Sequence, residues 1–242
     1  MRPITCSAIS ATVLLLGGCK TPDGARSTTS RTASGSVAPG ATGPPSRDQA
    51  GDSIIARADR ARILGDSTAP VWFIMASDFE CPFCKMWHDS TFAPVVQNYV
   101  RSGKIRMAYL NYPLPQHLNA MPAAEAAMCA AAQGKFWPMH DSLFAQQEKW
   151  ASMRDASPVF EAMASRVGAA MADWRQCVSR HSTAPLIQAD RDRAGRAGVR
   201  STPTFFVGDK AIAGAAPYAT FRDTIEAVLT RATAGRGKPP AS

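Results

Sequence analysis

Two cysteines lie two residues apart in the stretch DFECPFCKMW (residues 78–87), at Cys81 and Cys84. A pair with this spacing can bind a metal, form a structural disulfide, attach a c-type haem or exchange disulfides with other molecules. Zinc would require four ligands, and the 4 histidines are scattered along the chain; the haem motif would require histidine at position 85, which is Lys85. We therefore expect no metal and no cofactor beyond the cysteine pair. We favour a redox-active pair. A structural disulfide between Cys81 and Cys84 remains an alternative.

The elements that must position this pair follow from the hydrophobic pattern around it. The apolar, β-branched run 71–77 predicts a buried strand, and the alternating run 104–112 predicts a second one. The segment 82–103 between them predicts a helix that ends at Gly103 and could kink near Pro94. This order is a βαβ unit in which the cysteine pair begins the helix.

The helix N-terminus is where we expect the two cysteines to differ. Unpaired backbone N–H groups and the helix dipole stabilise an anion there, so Cys81 is expected to have a lowered pKa and to be the exposed nucleophile. Cys84, one turn further along, is expected to be the buried resolving thiol. Pro82 suits the first helical turn, where no backbone donor is required.

The rest of the folded region divides into a helical block and a second α/β part. The segment 53–65 could be a short helix or an edge strand. Alanine-rich sequence with helical periodicity occupies residues 117–195, with a break at Gly134. Residues 196–231 then predict a short strand, a turn at 208–209, another strand and an amphipathic helix.

From about residue 69 to residue 229 the chain resembles the DsbA-like branch of the thioredoxin superfamily. The matching stretches are APVWFIMASDFECPFC, GKIRMAYLNYPL, AAMCAAAQGKFWPMHDSLF and GVRSTPTFFVGDKAIAGAAPYATF, in that order. The resemblance implies an α/β, thioredoxin-like fold with an all-helical insertion. The implied parts are a first thioredoxin-like segment at 53–116, the insertion at 117–195, a second thioredoxin-like segment at 196–231 and a flexible tail at 232–242.

The same resemblance implies which residues meet a substrate. Thr202 and Pro203 would form the cis-proline loop, which packs against the cysteine pair and offers backbone groups to a substrate peptide. Pro82 and Phe83, between the cysteines, would belong to the same substrate-binding surface.

Two positions depart from the family pattern. The family usually carries a buried acid six residues before the first cysteine, and this chain has Met75 there, so the proton relay must be absent or replaced. The nearby Asp78 and Glu80 are expected to be solvated, and their charges would oppose a low pKa at Cys81. Phe83 stands where the strong oxidant of the family has histidine, which predicts a less oxidising couple.

The N-terminus has the pattern of an export signal followed by a lipid anchor. Residues 1–18 contain one arginine and an apolar run too short to span a bilayer, and the stretch LGGC resembles a bacterial lipobox in which Cys19 is lipidated. An ordinary signal peptide with an incidental cysteine is the alternative. Within residues 21–51, 24 of 31 residues are Ser, Thr, Gly, Pro or Ala, which predicts a disordered tether over 19–52.

Two further cysteines, Cys129 and Cys177, both fall in the helical block. We expect them to form a structural disulfide, because exported proteins seldom leave two thiols free beside an oxidising site. Two free, buried thiols in packed helices are the alternative.

The formal net charge of +8 does not predict nucleic-acid binding. The arginine-rich stretch 190–200 is interrupted by Asp190 and Asp192 and is expected to be a solvated helix face. No basic stripe interleaves with aromatic residues, as it does in nucleic-acid-binding proteins.

Together these features predict an exported thiol–disulfide oxidoreductase, tethered to a membrane of the cell envelope, with the oxidase direction favoured. Its expected partners are exported cysteine-containing proteins, a membrane redox partner and the membrane that holds its anchor. The alternatives are a reductase or isomerase, or a non-catalytic lipoprotein of the same fold that binds substrates or acts as a chaperone.

Overall fold

A five-stranded mixed sheet lies at the centre of the computed structural model, which describes residues 47–236 and the side chains of residues 54–234. The strand order across the sheet is β1-β3-β2-β4-β5. Strands β2 and β3 are parallel, and the other three neighbouring pairs are antiparallel. The strands are β1 (Ile63–Leu64), β2 (Val71–Ser77), β3 (Ile105–Asn111), β4 (Thr204–Val207) and β5 (Lys210–Ala213).

The βαβ unit predicted from the sequence is present as β2, a helical crossover and β3. The crossover begins as α2 (Pro82–Trp87), and two π-helical segments (His88–Phe92 and Val96–Val100) flank the short α3 (Ala93–Val95). Pro94 lies in α3 and cannot donate a backbone hydrogen bond to the preceding turn. The predicted kink near Pro94 is therefore replaced by wider turns on both sides of the proline.

The helical insertion contains six helices among the described residues. An α-helical break falls at Gly134, which has φ +72 and so adopts the left-handed conformation that glycine tolerates best. The six are α4 (Ala120–Ala131), α5 (Phe136–Ala145), α6 (Gln147–Trp150), α7 (Ser157–Arg166), α8 (Met171–Ser179) and α9 (Ala184–Arg196).

The segment 53–65 forms both of the structures that its sequence allowed. Helix α1 (Arg47–Ala61) is followed directly by β1, which pairs with β3 at the edge of the sheet. Helix α1 starts inside the segment predicted as a tether, so that prediction is wrong for residues 47–52. Helix α10 (Tyr218–Arg236) likewise extends into the predicted tail, since the alanines after Arg231 continue the helix.

Aromatic side chains form the core between the sheet and the helices that pack on it. Trp87 of α2 contacts Phe205 of β4 with ring centroids 4.5 Å apart, and Phe205 meets Phe221 of α10 at 4.8 Å. All three are buried, and each contributes about 1.5–3 kcal/mol by leaving water. This cluster holds α2, and with it the cysteine pair, against the sheet.

A buried ion pair joins the start of the sheet to the last helix of the insertion. The guanidinium of Arg62 contacts the Asp190 carboxylate and donates to the carbonyl of Tyr109 at 3.0 Å. The same carboxylate accepts hydrogen bonds from the backbone and side-chain N–H groups of Asn111, at 3.1 and 2.9 Å. The prediction of a solvated face at 190–200 is thus wrong for Asp190. Its carboxylate is buried because it pairs with Arg62 and accepts hydrogen bonds from Asn111.

Some sequence-based predictions fall on residues that the structure does not describe. The signal peptide at 1–18, the lipidation site Cys19, most of the tether at 19–52 and the last residues of the tail lie outside 47–236. Within 47–236, no helix combines the length and the apolar character required to cross a membrane.

Candidate active site

Cys81 lies at the junction between the end of β2 and the first turn of α2. A tight turn follows β2, in which the backbone N–H of Cys81 donates to the carbonyl of Asp78 at 3.2 Å. The carbonyl of Cys81 then accepts the first helical hydrogen bond, from Lys85 at 3.1 Å. Pro82 occupies the first helical position, as the sequence predicts. The structure thus places Cys81 at the N-cap of α2.

The loop that contains Thr202 and Pro203 covers the Cys81 thiol. The Cys81 Sγ atom donates to the carbonyl of Thr202 at 3.4 Å, and the Thr202–Pro203 peptide bond is cis. Cys81 is only 3% exposed and Cys84 2%, so the prediction of an exposed nucleophile is wrong. The reason is long-range: the loop that covers Cys81 is 121 residues away in the chain.

The two free thiols differ in acidity despite their similar burial. The pKa of Cys81 is lowered to about 6, chiefly by a hydrogen bond with the Cys84 thiol. Thr202 and the backbone N–H groups of Cys84 and Phe83 lower it further. Burial raises the pKa of Cys84, and the charge on Cys81 raises it again. The pair therefore contains one thiol that ionises near neutral pH and one that stays protonated. The lowered pKa predicted for Cys81 agrees with this, and the roles of nucleophile and resolving thiol stay predictions.

The environment of Cys84 contains hydroxyl groups and a backbone donor. The backbone N–H of Asp78 donates to Cys84 Sγ at 3.5 Å, and the hydroxyl of Ser77 lowers the thiol's pKa. Met75 is buried and lies opposite Tyr109 in the parallel pair of β2 and β3. The Tyr109 hydroxyl is buried and has no hydrogen-bond partner among the described side chains and backbone. Burial raises its pKa, and Cys84 raises it further.

Asp78 and Glu80 are hydrogen-bonded to a loop rather than solvated as predicted. The Asp78 side chain is fully buried; it lies 2.6 Å from His117 Nδ1 and accepts from the backbone N–H of Leu114 at 2.9 Å. Glu80 accepts from the backbone N–H of Asn119 at 2.6 Å, and burial raises its pKa. These contacts bring the loop after β3 against the turn that precedes Cys81.

The helical insertion also contacts the active-site turn directly. The side-chain amide of Gln147 donates to the carbonyls of Phe79 and Cys81, at 2.6 and 3.0 Å. Asn119 uses its side-chain amide to donate to the carbonyl of Met153 at 2.8 Å. The sequence analysis predicted neither Gln147 nor Asn119 as a site residue. The residues around each of them give no sign of a contact with a segment distant in the sequence.

The predicted substrate-binding residues divide into a buried and an exposed pair. Thr202 and Pro203 are buried beside Cys81, and Pro82 and Phe83 are exposed on α2. Phe83 is 58% exposed, which is unusual for a phenylalanine. Met86 and Leu118 are also exposed large apolar side chains, on α2 and on the loop that contacts Glu80. Beside Cys81 the structure thus has a buried backbone acceptor, the Thr202 carbonyl, and the exposed apolar side chain of Phe83 follows two residues later on α2.

One group of described side chains has the chemistry of metal ligands. His88, His140 and Asp141 each place a ligand atom within 4.8 Å of the other two. Burial lowers the pKa of His140 to about 4, so its ring is neutral at pH 7. Its Nε2 atom has no partner among the described residues, whereas a metal-bound histidine normally donates its second N–H to an acceptor. We assign no metal to this group, and the expected absence of a metal stays a prediction.

The other two described cysteines are joined. Cys129 in α4 and Cys177 in α8 form a disulfide with an Sγ–Sγ distance of 2.02 Å and a Cα–Cα distance of 5.7 Å. The bridge lies wholly within the helical insertion, and both residues are buried.

Comparison with known proteins finds relatives of this chain. The thioredoxin family model matches residues 57–227. Disulfide bond formation protein D of Bacillus subtilis is 23% identical over 172 residues, which cover 69% of this chain and 76% of that protein. A protein of Salinispora tropica named Na(+)/H(+) antiporter NhaA 3 is 35% identical over 153 residues, which cover 63% of this chain. The chain spans only 22% of that protein's length, so the antiporter's activity is not assigned to this chain.

Solved structures show the same fold. Oxidised BdbD of Bacillus subtilis superposes with a TM-score of 0.64 at 23% identity, over 70% of this chain and 92% of BdbD. Alpha-DsbA1 of Wolbachia pipientis superposes with a TM-score of 0.65 at 21% identity, over 72% of this chain and 93% of that protein. A mixed sheet with a helical insertion is common to all three, as the sequence resemblance implied.

Proposed function

Because the chain belongs to the thioredoxin family and has the DsbA-like fold, we propose that it exchanges disulfides with protein substrates through Cys81 and Cys84. The observation that carries this proposal is a pair of free thiols one helical turn apart, with Cys81 at the N-cap of α2 and 3.4 Å from the Thr202 carbonyl of the cis-proline loop. The opposite directions of the two pKa shifts support it. Thiol–disulfide exchange requires a thiolate that attacks or is attacked and a second thiol that resolves the intermediate.

Within this function we favour the oxidase direction. A substrate thiolate attacks the Cys81 sulfur of the Cys81–Cys84 disulfide, and Cys84 leaves as a thiolate. The mixed disulfide at Cys81 is then attacked by a second substrate thiolate, which leaves the substrate oxidised and Cys81 as a thiolate. A Cys81 pKa of about 6 favours this release, because the product thiolate is stable at neutral pH.

The surface around Cys81 fits a protein substrate in an extended conformation. The Thr202 carbonyl, 3.4 Å from Cys81 Sγ, is a backbone acceptor beside the reacting sulfur. Pro203 and Pro82 flank it, and the exposed Phe83 offers apolar contact to residues on either side of a substrate cysteine. A substrate cysteine that binds here would have its neighbours held by backbone hydrogen bonds and apolar contacts.

We further propose that the protein works outside the cytoplasm, held to a membrane by a lipid on Cys19. The LGGC stretch and the polar, small-residue segment after it support this location. In that location its substrates would be exported cysteine-containing proteins, and a membrane redox partner would restore the Cys81–Cys84 disulfide. Mass spectrometry of the mature protein tests the anchor: an unmodified Cys19, or equal membrane retention of Cys19→Ala, contradicts it.

The exchange activity is tested with two assays on the same preparation. The oxidised protein should accelerate disulfide formation in a reduced, unfolded substrate protein, and the reduced protein should reduce insulin. Cys81→Ala should abolish both activities. If wild type is silent in both assays, the protein is a non-catalytic binding or chaperone-like member of the fold, as the lost acid at Met75 would favour. The faster of the two reactions indicates whether oxidase or reductase chemistry is the physiological direction.

A further inference from the structure

A buried Cys84 must exchange a proton in each cycle of the proposed reaction. When Cys84 leaves the disulfide as a thiolate, its raised pKa makes it take up a proton. When the reduced protein is reoxidised, Cys84 must lose that proton before it can attack a mixed disulfide at Cys81. Cys84 is only 2% exposed, and Met75 provides no acid or base beside it. The proton must therefore travel through other groups.

We propose that Asp78 and His117 form the proton route that connects Cys84 to solvent, an inference that rests on the oxidoreductase function proposed above. Asp78 is adjacent to Cys84, because its backbone N–H donates to Cys84 Sγ at 3.5 Å. Its carboxylate is fully buried, and one oxygen lies 2.6 Å from His117 Nδ1. The side chain of His117 is 18% exposed, so the imidazole connects a buried carboxylate to water.

The Asp78 carboxylate is fixed in one orientation by three hydrogen bonds. One oxygen accepts from the backbone N–H of Glu80 at 2.8 Å. The other accepts from the backbone N–H of Leu114 at 2.9 Å and contacts His117 Nδ1. A buried carboxylate that orients one nitrogen of an imidazole leaves the second nitrogen available for proton exchange.

The groups around this pair provide a second line of support. The Tyr109 hydroxyl is buried without a hydrogen-bond partner among the described residues, and the charges of Cys84 and Asp78 both raise its pKa. Both groups therefore act on the electrostatics of this phenol. The Ser77 hydroxyl, which lowers the pKa of Cys84, can hydrogen-bond the Cys84 thiolate while the proton moves. Of the titratable groups nearby, Glu80 and Tyr109 interact with the charge of Asp78, and Glu80 also with that of His117.

The route gives a balanced sequence for closure of the active-site disulfide. The Cys84 thiol transfers its proton to the Asp78 carboxylate, Asp78 passes a proton to His117 Nδ1, and the imidazolium releases one from Nε2 to water. The Cys84 thiolate then attacks the Cys81 sulfur of a mixed disulfide, a Cys81–Cys84 bond forms, and the partner sulfur leaves as a thiolate. Two electrons pass from the cysteine pair to the partner disulfide, which is the oxidant.

The test separates this step from the first attack by Cys81. The reduced protein, with the Cys129–Cys177 bridge intact, is mixed with dithiobis(nitrobenzoate), which releases one coloured thiolate when Cys81 attacks and a second when Cys84 closes the disulfide. At about pH 8 Cys81 is already ionised, since its pKa is about 6, so the first release is insensitive to nearby charges. The second release reports the deprotonation and attack of Cys84.

His117→Ala is expected to slow the second release on the order of 100-fold and to leave the first unchanged. Added imidazole should restore the second release, because it can replace a proton carrier but not a missing packing contact. Asp78→Asn should slow the same step. His181→Ala is the matched control: His181 Nδ1 pairs with Glu125 at 2.9 Å in the insertion, so its loss should change neither release.

Three results would count against the route. An unchanged second release in both His117→Ala and Asp78→Asn overturns it, and so does a slow release that imidazole fails to restore, which would mean that His117 only holds its loop. If His117→Ala does not fold, His117→Gln keeps a donor toward Asp78 without proton exchange and should show the same slow release. A wild-type protein that never gives the second release would refute the proposed oxidoreductase function itself, and the route with it.

Discussion

The molecule contains two pairs of cysteines whose chemistry differs although their burial is similar. Cys81 and Cys84 are 3% and 2% exposed, and Cys129 and Cys177 are 1% and 6% exposed. The first pair has free thiols at a helix N-terminus, and the second forms a bridge between the last turn of α4 and the last turn of α8.

Hydrogen-bond donors, rather than exposure, account for the difference. Cys81 receives hydrogen bonds from the Cys84 thiol and from the backbone N–H groups of Cys84 and Phe83, which lower its pKa. Cys129 lies within α4, where backbone N–H groups are already used by the helix, and its sulfur lies 3.9 Å from the Thr183 hydroxyl. A buried cysteine becomes reactive where unpaired donors converge on it.

The largest expected effect tests whether the pairs have separate roles. Cys81→Ser should lower the rate of insulin reduction on the order of 1000-fold or more, because the attacking thiolate is lost. The double substitution Cys129→Ala with Cys177→Ala should keep most of the wild-type rate at a temperature where it is folded. A comparable loss of activity in the double variant would show that the two pairs act together.

The second expected effect is on stability. The Cys129–Cys177 bridge closes a loop with a sequence separation of 48, and removing it should lower the free energy of unfolding by about 4 kcal/mol. Denaturant titration of the Cys129→Ala, Cys177→Ala variant measures this loss. Cys84→Ala provides the comparison and should cost less, since no long loop is opened. Equal losses from the two changes would contradict the structural role assigned to the bridge.

The third effect is the pH dependence of stability, which should exist only for the active-site pair. Folding lowers the pKa of Cys81 from 9.0 to about 6, so between these pH values its thiol is ionised in the folded protein but protonated in the unfolded chain. This difference stabilises the folded, reduced protein. Its stability should rise with pH between about 6 and 9, and this gain should be lost as the pH falls through 6. The oxidised protein has no such thiol and is the control. Denaturant titrations of both forms across this range measure the difference, and parallel curves would exclude it.

The smallest expected effect sharpens the comparison within the active site. Phe83→His would place a second donor, and a positive charge when protonated, beside the Cys81 thiolate. A decrease of about one unit in the Cys81 pKa should raise the reduction potential by about 30 mV. Equilibration with glutathione measures this change, with Met86→His on the same helix as the control. A potential that falls or stays the same would mean that residue 83 does not set the acidity of Cys81.

Local patterns predicted the parts of the molecule whose contacts are local. Strands β2 and β3 fall inside the segments predicted for them, because β2 is an unbroken apolar run and β3 alternates apolar and polar residues. The position of Cys81 at the start of a helix follows from Pro82 and the preceding strand. Closely spaced residues therefore suffice to predict that Cys81 begins a helix and that its pKa is lowered.

Features made by distant contacts could not be predicted in this way. The burial of Cys81 depends on Thr202, and the burial of Asp78 depends on a hydrogen bond to Leu114 and contact with His117, 36 and 39 residues away. Gln147 reaches the active-site turn over a separation of 66 residues. A single sequence contains no periodicity that records such pairs, so these residues emerge only once the chain is folded.

The order of the two cysteine pairs along the chain has a consequence for biogenesis. Cys129 and Cys177 both precede Thr202 and β4, which complete the environment of Cys81. During synthesis from the N-terminus, the insertion can acquire its bridge while the catalytic surface of the same molecule is still unfinished. If the bridge forms in that interval, the oxidant that makes it must come from outside the same molecule, so the stability of the insertion would depend on disulfide formation by another protein.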